Sequence, residues 1–168
     1  MTAPDARLLQ DLTCLLVRDL DTFVREIDLL PDDESLWKTM TGVSNSCGNL
    51  ALHCAGNLQY YVGALLGGSG YVRDRAREFS QRSGARADVV AELTRARQAV
   101  ESALPAVSQS RLDADFPEAV GGVTLPTRLA LLHLAVHLGF HLGQADYLRR
   151  TLSGDARTAG TVSVKELV

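Results

Sequence analysis

Four histidines are all this chain has, and three fall on one line, in the run His133-Leu134-Ala135-Val136-His137-Leu138-Gly139-Phe140-His141. Residues four apart share a helix face, so each adjacent pair can grip one metal ion. The fourth, His53, lies in a separate helical segment and could add a third ligand from across a bundle. His133 and His141 are about 12 Å apart in helical rise, too far to share an ion whose bonds to nitrogen are about 2.0 to 2.1 Å. The chelating pair is therefore His133/His137 or His137/His141, with His137 common to both. Packing is the competing reading, with each imidazole satisfied by backbone or side-chain partners. Leu134, Val136, Leu138, Phe140 and Leu142 surround the stripe. Burying several imidazoles among them without partners is costly, and one ion partners two or three at once.

Positioning these residues is the work of helices. Leu8, Leu12, Leu15, Leu16, Leu20, Phe23, Val24 and Ile27 recur at steps of three and four, which predicts a helix over 5–30. Asp19, Asp21, Arg25 and Glu26 are read as its other, solvated side. Ser44-Asn45-Ser46 offers caps for a second helix over 47–66, which Gly67-Gly68-Ser69-Gly70 ends. Asn49, His53 and Asn57 make a polar stripe on it. A third helix spans 86–107 and is stopped or kinked by Pro105. An extended connection or small hairpin over 112–123 turns at Gly121-Gly122. A fourth helix spans 125–152, with Pro126 in its first turn. The pattern predicts an all-α four-helix bundle with long crossover connections, whose interior suits a metal site built from facing helices. The chain of 168 residues is read as a single domain over 1–168, with its core at about 5–152 and a C-terminal arm at 153–168.

The bulk numbers exclude some classes. A net charge of −3 lacks the basic surface that nucleic acids require. No apolar run approaches the roughly 18 to 20 residues of a membrane span. The start, Met-Thr-Ala-Pro-Asp-Ala-Arg, has no basic region followed by an apolar one, so no signal peptide is read. Cys14, Cys47 and Cys54 are irregularly spaced and include no Cys-x-x-Cys pair, which fits reduced, buried thiols in a cytoplasmic protein.

The combination of His53, within Asn49-Leu50-Ala51-Leu52-His53-Cys54-Ala55-Gly56-Asn57-Leu58, with His137-Leu138-Gly139-Phe140-His141-Leu142-Gly143-Gln144 resembles the DinB-like (YfiT-like) four-helix-bundle metalloproteins. The run from Gly67-Gly68 through Arg73-Asp74-Arg75 to Glu78-Phe79 looks like the branch of that superfamily known as a domain of unknown function. Carried over position by position, the resemblance implies His53, His137 and His141 as the metal ligands. His133 then falls outside the triad, as a capped or supporting histidine. Relatives often carry a basic residue where this chain has Leu142. The resemblance also implies a homodimer, and thiol-dependent chemistry with a low-molecular-weight thiol activated by the metal.

Three neutral imidazoles leave at least one coordination position for water or substrate, the pattern of a catalytic site. The leading expectation is a metal-dependent enzyme: a thiol-dependent S-transferase or related small-molecule transferase or hydrolase. The alternative is a non-catalytic metal-binding or interaction bundle with a structural or vestigial site. Imidazole ligands suit several divalent ions, with zinc the first expectation and nickel or iron the alternatives. Asn49, Asn57, His133 and Gln144 are the candidate pocket or supporting residues, with Gln59, Tyr60 and Asp146 as further polar candidates. Arg73, Arg75, Arg77, Arg82 and Arg86 form a basic stretch interrupted by Asp74 and Glu78, read as a solvated face, with Arg73 or Arg75 as a conceivable anion site. The Glu-x-x-His motifs of carboxylate-bridged di-iron sites are missing.

Overall fold

The structure is a computed structural model that describes residues 3–167, so the outermost positions of the expected domain, Met1, Thr2 and Val168, lie outside the described residues. Six α-helices follow one another: α1 Ala3–Asp28, α2 Cys47–Leu58, α3 Arg75–Ser80, α4 Arg86–Ala103, α5 Gln109–Asp113 and α6 Thr127–Ser153. Among the described residues there is no strand. No helix among the described residues is long and apolar enough to cross a membrane.

The long helices make the expected bundle, in which α1 packs on α4 and α6, and α2 packs on the same two neighbours. Helices α1 and α2 therefore stand diagonally opposite one another. Each stripe turns inward as its spacing demands. Leu9, Leu12, Leu16, Leu20, Phe23 and Ile27 are buried from α1, and Val89, Leu93, Ala96, Val100 and Ala103 from α4. Every residue of α2 is buried, because α3 and a 3-10 turn at Ser35–Trp37 close over it as well. Gly48 admits that cover: a Cβ there would lie 2.8 Å from the Trp37 ring.

Several boundaries differ from the sequence reading. The α-helical hydrogen bonding of α2 stops at Leu58 and continues as a π-helix over Gln59–Ala64. Pro105 ends α4 in a 3-10 turn at Leu104–Ala106. The stretch expected as an extended connection or small hairpin begins in the end of α5 and continues with two isolated antiparallel bridges, Asp115 with Pro126 and Val120 with Val123. Gly121 and Gly122 do make the turn, at φ of +60° and +83°. Helix α6 begins after Pro126 and is capped by Gly154 in the left-handed conformation.

Two charges assigned to the solvated side of α1 are buried because they are paired. Asp19 takes a 2.8 Å bond from Arg18 Nε. Glu26 takes a 2.5 Å bond from Nε of Arg149, a side chain of zero exposure. Burial pushes the Glu26 carboxyl above its usual range, while the Arg149 guanidinium pulls the other way. Arg149 also donates to the backbone oxygens of Asp155 and Arg157, at 3.1 and 2.6 Å. Arg25 donates to the Ala159 oxygen at 2.8 Å and pairs with Glu166 at 2.9 Å. The C-terminal segment is thus laid back on α1 and α6 by arginines holding backbone carbonyls, an arrangement that leaves no apolar periodicity to read.

Candidate metal centre

Helices α2 and α6 run antiparallel along one seam. Cys47 Sγ meets the Ala145 carbonyl at 3.6 Å, while His53 Nε2 meets His137 Nε2 at 3.1 Å. The start of α2 is fixed by a capping box, in which Ser46 Oγ accepts from the Asn49 backbone N–H and Asn49 Oδ1 accepts from the Ser46 N–H. Asn49 Nδ2 then donates to the carbonyls of Glu78 and Gln81, both at 2.9 Å. Asn49 is thereby committed to holding the end of α3 against α2.

His53, His137 and His141 converge. Their ring centroids are 5.0 Å apart for His53–His137, 5.1 Å for His53–His141 and 4.5 Å for His137–His141. One nitrogen of each lies within 4.8 Å of those of the other two, a spacing that a single ion could close. His133 stays outside, exposed, with its ring 6.1 Å from that of His137. Of the two chelate options on α6, the structure therefore brings His137/His141 together with His53.

The hydrogen bonds behind the triad decide whether it fits a cation. His53 Nδ1 lies 2.9 Å from Glu78 Oε2. Burial alone would raise the Glu78 carboxyl, but bonds from His53 and Arg73 outweigh it and hold the group below its usual range. An ionised carboxylate only accepts, so His53 Nδ1 donates to it, with Arg73 Nη2 also 3.2 Å from that nitrogen, and in the neutral form of the ring Nε2 is left with the lone pair. Arg73 grips the same carboxylate with two bonds, Nε to Oε1 at 2.7 Å and Nη2 to Oε2 at 2.8 Å. His141 Nδ1 donates to Gln144 Oε1 at 2.7 Å, which likewise frees its Nε2. Burial, followed by the neighbouring His141, His53, His133 and Arg73, drives His137 down to about 3, so it is neutral at physiological pH. Burial also lowers His141, partly opposed by its bond to Gln144. Three converging imidazoles, two of them with Nδ1 bonded to an oxygen acceptor, are a donor set suited to a divalent ion.

Glu78 is the residue that sequence reasoning missed. It was read as one charge on a solvated face, yet it is 5 % exposed and buried against α2. Its seat depends on Gly56, because a Cβ at that position would collide with Glu78 Oε1. No local spacing joins positions 53 and 78. The run Arg73-Asp74-Arg75 to Glu78-Phe79 was the available signal. Arg73, read as part of a solvated face with an anion site as the alternative, is instead paired with Glu78. Arg75 rests on Phe79, whose ring packs 4.6 Å from that of His53.

The other candidates divide. Asn57 follows His53 by one turn and is buried with its Oδ1 lacking a hydrogen-bond partner. Gln144 supports His141 directly. Gln59 bonds Glu92, Tyr60 bonds Glu118, and Asp146 pairs with Arg149 and Arg150, so all three serve other parts of the fold. Cys47 and Cys54 are buried as expected, and burial pushes the Cys47 thiol up to about 12. Cys14 is exposed on α1, contrary to the expectation of burial.

No curated protein and no solved structure matches the chain. A family model does: that of the DinB superfamily, over residues 15–145. The matched stretch begins within α1, contains His53 and Glu78, and ends just past His141 and Gln144, so it takes in every residue that builds the seam. With most of its length matched and its long helices packed as a bundle, the chain belongs to the DinB superfamily.

Proposed function

We propose that this protein is a metal-dependent enzyme acting on small molecules, with His53, His137 and His141 holding one divalent ion, zinc in the first instance. The observation that carries the reading is the pair of oxygens behind the triad. Glu78 and Gln144 take the Nδ1 protons of His53 and His141, leaving both Nε2 lone pairs for a cation. When bound, the ion supplies Lewis-acid polarisation and lowers the pKa of a thiol or water.

The remaining work falls to the chain itself. Glu78 keeps the His53 ring in one tautomer and, with the Phe79 ring against it, in one orientation. Arg73 compensates the carboxylate charge, so the wall behind His53 is close to neutral. Among the described residues the cluster able to hold one ion has three members, which supports an open centre. The reading is a thiol-dependent S-transferase or a related small-molecule transferase or hydrolase.

Metal analysis of protein purified without an affinity tag tests the first half. One equivalent of ion per chain is expected, lost in His137→Ala and retained in His133→Ala. Metal loss in His133→Ala with retention in His141→Ala would overturn the ligand set. Consumption of a low-molecular-weight thiol and an electrophile by the loaded protein, absent from the chelated protein, tests the second half.

A further inference from the structure

The antiparallel seam has two directions away from the triad. Toward the start of α2 and the end of α6, three residues bring Leu50 and Gln144, about 4.5 Å of rise at about 1.5 Å per residue. A cleft of about 410 Å³ opens there between the 40–45 loop and the 144–151 stretch of α6. Its apolar walls are Met40, Val43, Leu50, Tyr147 and Leu148, with the uncharged polar Ser44, Asn45 and Thr151 among them, and Gln144 is the lining residue that bonds His141. No Asp, Glu, Lys, Arg or His lines it. Met40, Val43 and Tyr147 are 37, 43 and 76 % exposed, so the apolar surface is open to a ligand. Gln144 belongs to both places: its carbonyl fixes His141, and its amide N–H groups remain as donors beside the cleft.

We propose that this cleft is the co-substrate subsite of the metal centre, taking an uncharged, largely apolar small molecule whose polar reacting end reaches Gln144 and the triad. The volume is in the range of about 300 to 1,000 Å³ typical of small-ligand sites. The apolar walls and uncharged lining select a neutral alkyl or aryl body. Gln144, which both lines the cleft and bonds His141, points to a substrate of that centre. The inference rests on the metal-site reading above.

The test uses two hydroxamates, which share a metal-binding head and differ in tail. Acetohydroxamate and octanohydroxamate are titrated by calorimetry into zinc-loaded full-length protein. Full burial is worth about fourfold in affinity per methylene. In a half-open cleft, octanohydroxamate should still bind at least about 30-fold more tightly than acetohydroxamate. Val43→Asp and Tyr147→Ser, both at exposed positions, should abolish that preference while leaving acetohydroxamate affinity intact. Equal affinity for the two probes, or a preference untouched by both variants, overturns the subsite. If the protein takes up no zinc, the metal reading fails by itself, and neutral octanamide with metal-free protein decides the cleft. Shifts of the Leu50 and Leu148 methyl resonances, lost in Val43→Asp, support it, and their absence overturns it. A dimer that Val43→Asp dissociates, with no binding of the octyl probe, would assign the cleft to a second copy and overturn the inference.

Discussion

At the scale of single residues, Glu78 separates this centre from a chance meeting of imidazoles. Its carboxylate is held by two arginine bonds and spends its remaining acceptor capacity on His53. Glu78→Gln removes the charge but keeps the shape, and zinc affinity should fall about 10- to 100-fold. Competition with a chromophoric chelator measures it, with an unchanged circular dichroism spectrum as the control for folding. Unaltered affinity would leave Glu78 a packing residue. Proton linkage at His137 gives a second expectation. Its folded value, about 3, lies below the unfolded value of about 6.5. Above the unfolded value both states are neutral there and the contribution to stability is whole. As pH falls below it the unfolded chain takes up a proton that the folded chain refuses, and stability is lost progressively toward the folded value. Metal-free protein should therefore unfold at lower urea at pH 5 than at pH 7.5, and His137→Ala should show a smaller loss over that interval. Equal slopes would mean that His137 is not held neutral by the fold.

At the scale of elements, α2 can be buried all round because two glycines thin it. On helix propensity, Gly56→Ala should stabilise by about 1 kcal/mol. Here the added Cβ enters the space of Glu78 Oε1. We expect Gly56→Ala to weaken zinc binding in the same direction as Glu78→Gln, with little gain in melting temperature. A plain gain in stability with intact affinity would show that Glu78 relaxes freely. This element also shows how far the sequence could be read. The stripe of α1 and the histidine stripe of α6 are apolar or chemical repeats at helical spacing, and each is where the spacing placed it. The π-helix over Gln59–Ala64 was hidden, because its spacing departs from the α-helix by only one residue over a single turn. Helices α3 and α5 were too short for periodicity to register. The Glu78–His53 contact joins elements that only tertiary packing brings together, and the resemblance of the 67–79 run hinted at it without assigning a role.

At the scale of the whole molecule, two features outlast the local accounts. One is the exposed stripe Leu129, Leu132, Val136 and Phe140 along α6, at 50, 45, 72 and 61 % exposure. We propose that it is covered in a homodimer, since apolar surface of this continuity marks an association site. Light scattering should give twice the chain mass of 18.1 kDa, reverting to one in Phe140→Asp. A monomer at all concentrations would remove the proposal. The other is the Arg149–Glu26 pair beneath the C-terminal segment. Arg149→Ala should cost about 3 to 5 kcal/mol, because it strands a buried carboxylate, and chemical denaturation measures the loss. Finally, His53 and His137 are 84 positions apart along the chain, so the three-nitrogen cluster can form only after α6 has docked on α2. Ordering so long a loop is slow and entropically costly, and an ion that needs both helices cannot nucleate it. The metal should therefore leave folding rates nearly untouched and act on the reverse step. Escape of the ion should follow the opening frequency of the α2–α6 interface, so zinc dissociation and exchange of the deepest α6 amides should share one temperature dependence.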